Sequence, residues 1–254
     1  MIVSRIHSLA RRLLLALMIT GAAGLHAEIS LSTTRVIFDA KDKEASLVVR
    51  NGGEPVLVQS WLESNTPGDS GELPFAVTPP LARMQANGQQ LLRVLYAGGA
   101  NTMPSDRESV LWLNVQEIPQ KAETENTLQI AIRQRIKLFF RPDGLSGTAK
   151  QAPSTLRWSV DAVDGKNLLR VHNPSAFHVS TAGVELVSGS ESQRISEAVM
   201  IAPGESKTFA LESASASAVS FTTINDFGGS EQYRARIGDS GSVLAEKAPE
   251  RSQK

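Results

Sequence analysis

One stretch, Thr127 to Pro142 (TLQIAIRQRIKLFFRP), constrains this chain more than any other. Leu128, Ile130 and Ile132 recur at period 2, the spacing that lines side chains along one face of a β-strand. Arg133, Arg135 and Lys137 follow, then Phe139 and Phe140, then Arg141-Pro142. Proline has no amide proton to donate, so a central strand must stop there. The strand read from Thr127 to Phe140 therefore carries an apolar row at one end and a basic, aromatic corner at the other. Lys137 has odd parity and the apolar row even parity, so an unbroken strand points them to opposite faces. A bulge or sharp twist between Ile132 and Lys137 would reconcile them, as would a partner wrapped around the edge.

The remainder of the chain repeats the same grammar. Helical periodicity is almost absent, and short runs rich in Val, Ile, Leu, Thr and Phe alternate with Gly, Pro and Asn turn signals. The chain reads as all-β. The first set of strands is Ile29 to Phe38, Ala45 to Arg50, Val56 to Leu62, Phe75 to Thr78, Gln90 to Tyr96, Ser109 to Glu117 and Thr127 to Phe140, turning at Asn51-Gly52-Gly53 and Asn87-Gly88. Seven strands, with Trp61 expected in the core on the third, suggest an immunoglobulin-like sandwich. Pro142 to Gly147 is a polar, glycine-containing pause suited to a bend between domains. A second set follows: Leu156 to Val160, Leu168 to Val171, His178 to Leu186, Ala198 to Ile201, Lys207 to Leu211, Ala218 to Ile224 and Gln232 to Ile237. From about Gly238 the residues are small, polar and charged, and residues 241–254 are expected to form a disordered tail.

Arg5, Arg11 and Arg12 precede an apolar run from Leu13 to Leu25 that closes on small residues, so residues 1–27 read as a cleaved signal peptide. The run is shorter than the roughly 20 residues needed to span a bilayer, and no second long apolar run occurs, so no membrane insertion is expected. The fuller twin-arginine pattern is missing. The chain has no cysteine, which excludes disulfides and thiolate metal sites, and its formal net charge of zero argues against bulk attraction to nucleic acid. The stretch 28–142 reads as a first domain and 143–240 as a second.

Several stretches match one family in its own order: Thr34 to Phe38, Thr78-Pro79-Pro80, Asp106 to Ser109, Asn114 to Pro119, Ile136 to Pro142, Asn173-Pro174 and Ile224 to Gly229. On these the chain resembles the periplasmic chaperones of pilus assembly. The resemblance implies two immunoglobulin-like β-sandwich domains in a boomerang arrangement, with a cleft between them. It implies a chaperone that caps pilus (fimbrial) subunits by donor-strand complementation and delivers them to an outer-membrane usher, with no cofactor, metal or catalytic residue.

A subunit lacking its last strand exposes an apolar groove and unpaired edge amides, and it aggregates unless a strand is lent to it. The resemblance assigns the lent row to Leu128, Ile130 and Ile132. It assigns the anchor for the subunit's C-terminal carboxylate to Arg35 and Lys137, and an inter-domain ionic cluster to Glu108, Arg141 and Asp226. The connection Gln120 to Asn126 is short, which in this family marks chaperones of rod-like adhesive pili. Ser175-Ala176-Phe177 departs from the threonine-proline-tyrosine wording usual after Asn173-Pro174. An uncovered apolar edge also makes a self-capping dimer expected.

Two other classes were weighed. An enzyme is disfavoured because the histidines outside the leader, His172 and His178, read as ordinary strand residues with no acidic partner or nucleophile motif beside them. A secreted two-domain adhesin or carbohydrate-binding module would place function in aromatic, acidic loop tips, whereas here the distinctive residues fall on one strand and the cleft.

Overall fold

Ile29 to Asp39 does not run as one strand. A computed structural model, which describes residues 29–66, 68, 71–98, 103–121, 128–211, 217–237 and 241–249, breaks it at Ser32-Thr33-Thr34 into β1 (Ile29–Leu31) and β2 (Arg35–Asp39). The break sends the chain from one sheet of a sandwich to the other. The first sheet has the order β1, β3 (Glu44–Asn51), β7 (Gln89–Tyr96), β5 (Phe75–Thr78). The second has the order β2, β9 (Arg133–Arg141), β8 (Ser109–Pro119), β4 (Val56–Ser64), β6 (Leu81–Met84). Alternate residues from both sheets fill one core: Val36 and Phe38, Leu47 and Val49, Val56 and Val58, Leu92 and Val94, Leu138 and Phe140 are all buried. Phe38, Phe75, Tyr96 and Phe140 meet there with ring centroids 4.7–6.4 Å apart, in tilted and edge-on arrangements that suit aromatic quadrupoles.

A single helical turn, α1 (Ala152–Thr155), leads into a second sandwich with its own separate core. One sheet runs β15 (Ser206–Leu211), β11 (Lys166–His172), β10 (Arg157–Val163), β18 (Val243–Leu244). The other runs β13 (Glu191–Ser196), β12 (Val179–Ser188), β16 (Ala218–Ile224), β17 (Ser230–Arg236), β19 (Glu246–Lys247), with β14 (Val199–Ile201) also on β12. Two immunoglobulin-like sandwiches are thus present, as expected.

Three further expectations need correction. The strand read from Thr127 begins instead at Arg133, and Leu128, Ile130 and Ile132 all lie outside it. The β8–β9 ladder closes at Gln116↔Arg133 with one further bond from the Glu117 amide to the Ile132 carbonyl, and Pro119 of β8 has no amide to carry it on. Of the three ways open to reconcile the parity of the row and Lys137, a bulge within β9 is excluded, because its register against β8 is continuous from Arg133 to Phe140. Trp61 is not core. Val56, Val58 and Ser60 take the inward positions of β4, so Trp61 faces outward, donating from Nε1 to Glu63 at 2.9 Å, while the fully buried tryptophan is Trp158 of β10. The tail is ordered in part: Val243–Leu244 pairs with β10, Glu246–Lys247 pairs with β17, and Ala245 between them is buried. The leader at residues 1–27 and most of the loop from Gln120 to Asn126 lie outside the described residues.

Candidate functional site

Parity along β9 builds the site. Even positions Ile136, Leu138 and Phe140 face the first core, so odd positions Lys137, Phe139 and Arg141 face away from it and toward the second domain. Leu128, Ile130 and Ile132 share the even parity in sequence but precede the strand, while the cations occupy its outward side. Leu128 is 84 % and Ile130 52 % exposed, and Ile132 is half-buried. Next to β9, β2 runs parallel with Arg35 opposite Lys137 and Asp39 opposite Arg141. Val36 and Phe38 are buried, which turns Arg35 outward beside Lys137.

The two cations are half-buried at the junction of the domains. Arg35 Nη1 donates to the Ile224 carbonyl at 2.9 Å, and Lys137 Nζ donates to Ser180 Oγ at 3.2 Å. Among the described residues neither has a carboxylate within ion-pair distance, and the buried Arg35 Nε has no hydrogen-bond partner. Burial lowers the pKa of Lys137, and the neighbouring Arg35 charge lowers it further. Burial also lowers that of Arg35, against the attraction of Asp226 and Glu108. The charged state of the pair is therefore held at a cost that an incoming anion would relieve.

Arg141 differs. Its Nε donates to Glu108 Oε2 at 2.7 Å, and Nη1 and Nη2 grip both oxygens of Asp226 at 2.7 and 2.8 Å. Burial works against its charge, but the hydrogen bonds it donates to Asp226 and Glu108, with the attraction of both carboxylates, outweigh it and raise the pKa. The structure thus brings Glu108, Arg141 and Asp226 together across the domain boundary.

Sequence reading missed a fourth member. His178 is not a strand residue without an acidic neighbour: its backbone N and its Nδ1 both meet Glu108 Oε1, at 2.8 and 2.9 Å. The residues departing from the common family wording also sit at this junction. Ala176 O accepts from the Glu108 amide at 2.8 Å, Phe177 is buried with the Arg141 guanidinium 5.6 Å over its ring, and Ser175 Oγ donates to Asn173 Oδ1 at 2.7 Å. Asn173 Nδ2 ties Phe177 and Ile201 carbonyls together inside the second core, which is why an Asn-Pro pair stands there. Nothing local in the sequence ties His178 to Glu108, 70 residues earlier.

Beside these groups lies a cavity of about 270 Å³ lined by both domains, with Arg35, Phe139 and Arg141 on one side and Val179, Ser180 and Phe227 on the other. Among the described residues no group of three or more His, Asp or Glu side chains is placed to hold a metal ion. The cleft therefore presents two cations and an apolar wall at the domain junction.

Comparison with known proteins agrees. Residues 28–146 match the family "Pili and flagellar-assembly chaperone, PapD N-terminal domain", and residues 151–235 match "Pili assembly chaperone PapD, C-terminal domain". The probable fimbrial chaperone YadV of Escherichia coli K12 is 38 % identical over 83 % of this chain and 90 % of its own length. The chaperone protein FimC of the same strain is 38 % identical over 84 % and 85 %. A crystal structure of YadV superposes with a TM-score of 0.70 at 37 % identity, covering 83 % of this chain and all of that one. The SafA pilin–SafB chaperone complex of Salmonella enterica gives 0.69 at 32 % identity, over 89 % and 99 %. The adhesin alternative falls with these matches, and this chain belongs to the PapD family of pilus-assembly chaperones.

Proposed function

We propose that this chaperone reaches the periplasm by a cleaved leader over residues 1–27, and that it lends Leu128, Ile130 and Ile132 to pilus subunits as a missing strand. The observation that carries this reading is the Arg35–Lys137 pair: two adjacent, half-buried cations with no carboxylate of their own among the described residues. A subunit's C-terminal carboxylate supplies what they lack. Arginine offers two parallel donors and lysine a compact charge, and together they fix the register of the incoming chain from one end.

From that anchor the subunit's edge runs along 128–132, whose backbone pairs with no strand over most of its length. Side chains at even positions extend the chaperone's own core side into the subunit's groove. Each fully buried aliphatic contributes about 1.5–3 kcal/mol before ordering costs. Glu108, Arg141 and Asp226 hold one domain angle, because displaced charges would be left unpaired. The loaded chaperone then delivers its subunit to an outer-membrane usher, and free copies cap one another's exposed rows as a dimer. SafB, a similar chaperone, is known in complex with a pilin, which supports the subunit as partner.

The test is periplasmic co-expression of the tagged chain with a pilus subunit from its own gene neighbourhood. A one-to-one complex is expected, lost in Arg35→Ala, Lys137→Ala and Ile130→Asp. Stable complexes with either cation variant would reject the anchor, and survival of Ile130→Asp would reject the lent row.

A further inference from the structure

The loop after β16 holds an apolar ring in the open with little freedom to hide it. Asn225 Oδ1 accepts from the amides of Phe227 and Gly229 at 3.1 and 2.9 Å, and the Asn225 amide donates to Gly229 O at 2.9 Å. Asp226 is clamped by Arg141. Gly228 has φ +83°, and a Cβ there would stand 2.7 Å from Thr34 Oγ1 of the first domain, so the loop is pressed against the residue preceding Arg35. Pinned on both sides, Phe227 is 95 % exposed.

A single exposed apolar residue on a loose loop needs no explanation. This one lines the same cavity as Arg35, Phe139, Pro153 and Val179. The Arg35 guanidinium bonds the Ile224 carbonyl, and Phe227 lies within about 11 Å of Ile224, the reach of roughly three extended residues.

We infer that Phe227 is a specificity-determining residue of the cleft: its ring packs on an apolar side chain about two to four residues before the carboxylate held by Arg35 and Lys137. The occupant is the C-terminal segment of a pilus subunit, and the inference rests on the carboxylate anchor proposed above. A polar side chain at that position leaves the ring in water. The cleft thus reads the nature of the chain end as well as its charge.

The test uses the full mature chain and soluble peptides of about twelve residues, long enough to span the anchor and the lent row. They carry leucine or serine third from the end, each as free acid and as C-terminal amide. Wild type is expected to bind the leucine acid about tenfold tighter than the serine acid. In Phe227→Ser that ratio falls to about one, and in Phe227→Leu most of it returns; melting temperatures stay unchanged because the ring is exposed. Amidation weakens every protein alike. If amidation weakens binding yet Phe227→Ser keeps the tenfold ratio, the role of Phe227 is refuted while the anchor stands. Equal binding of acid and amide, or no binding by any acid, removes the anchor and this inference with it.

Discussion

Arg141→Ala isolates the junction between the domains. The Arg141 side chain is 15 % exposed, Glu108 1 % and Asp226 35 %. Removing one partner of a buried ion pair costs about 3–5 kcal/mol, because the other charge is stranded. Asp226 reaches water and adds at most about 1 kcal/mol. Glu108 keeps its two contacts with His178, which places the total near the lower end, about 3 kcal/mol. For a chain of this size that lowers the melting temperature by about 6–12 °C. The tryptophans make the assay domain-resolved: Trp61 and Trp112 lie in the first sandwich and Trp158 in the second. In urea the two sets are expected to report one coincident transition in the wild type and two separate ones in Arg141→Ala. Glu108→Gln added to Arg141→Ala removes the stranded charge and should return about 2 kcal/mol. A loss under about 1 kcal/mol, or no recovery in the double variant, would refute the reasoning that charge stranded at this boundary couples the domains.

Lys137→Met is expected to leave the melting temperature unchanged or raised, since burial and Arg35 already disfavour the ammonium in the free protein; a loss above about 1 kcal/mol would make it a structural group. Ile130→Asp should change folding stability by less than about 0.5 kcal/mol, because half the side chain is already in water; a larger fall by chemical denaturation would mean the row packs on its own domain. Glu231 is desolvated, yet hydrogen bonds from Tyr233, Asn225 and Lys247 hold its pKa below the ordinary glutamate value. A depressed carboxylate pKa stabilises above the unfolded value and loses that contribution as pH falls through the folded one. Glu231→Gln should therefore unfold with a shallower acid slope below about pH 4.5, and an unchanged slope would exclude Glu231 as a contributor.

The fold was readable where alternation was strong. Phe75–Thr78 and Ala218–Ile224 were read to the residue because Gly, Pro or Ser bounds an apolar run with one buried face. Glu191–Ser196 was missed because a polar edge strand has no apolar face to betray it, and Glu246–Lys247 for the same reason. Leu81–Met84 was missed because it buries only Met84 and directly follows two prolines. The Thr127 strand was overextended because period 2 reports which way side chains would point and not whether a neighbouring strand exists to receive the amides. At the site, Arg35, Lys137, Glu108, Arg141 and Asp226 became visible through family-ordered motifs. His178 and Phe227 did not, since burial against Glu108 and a clamped loop are tertiary facts with no local signature.

The placement of β9 has a mechanical side. It is bonded to β2 along one flank and β8 along the other, from Arg133 or Lys137 to its end at Arg141, where the guanidinium fastens onto the second domain. A pull along the segment at 128–132 would load all these rungs at once, in shear, and would draw on the inter-domain clamp at the far end. A strand peeled sideways from the same segment meets its bonds singly. On the proposed docking, a subunit strand pulled along this edge would load its bonds together, whereas a rival strand entering at one end would replace them one at a time.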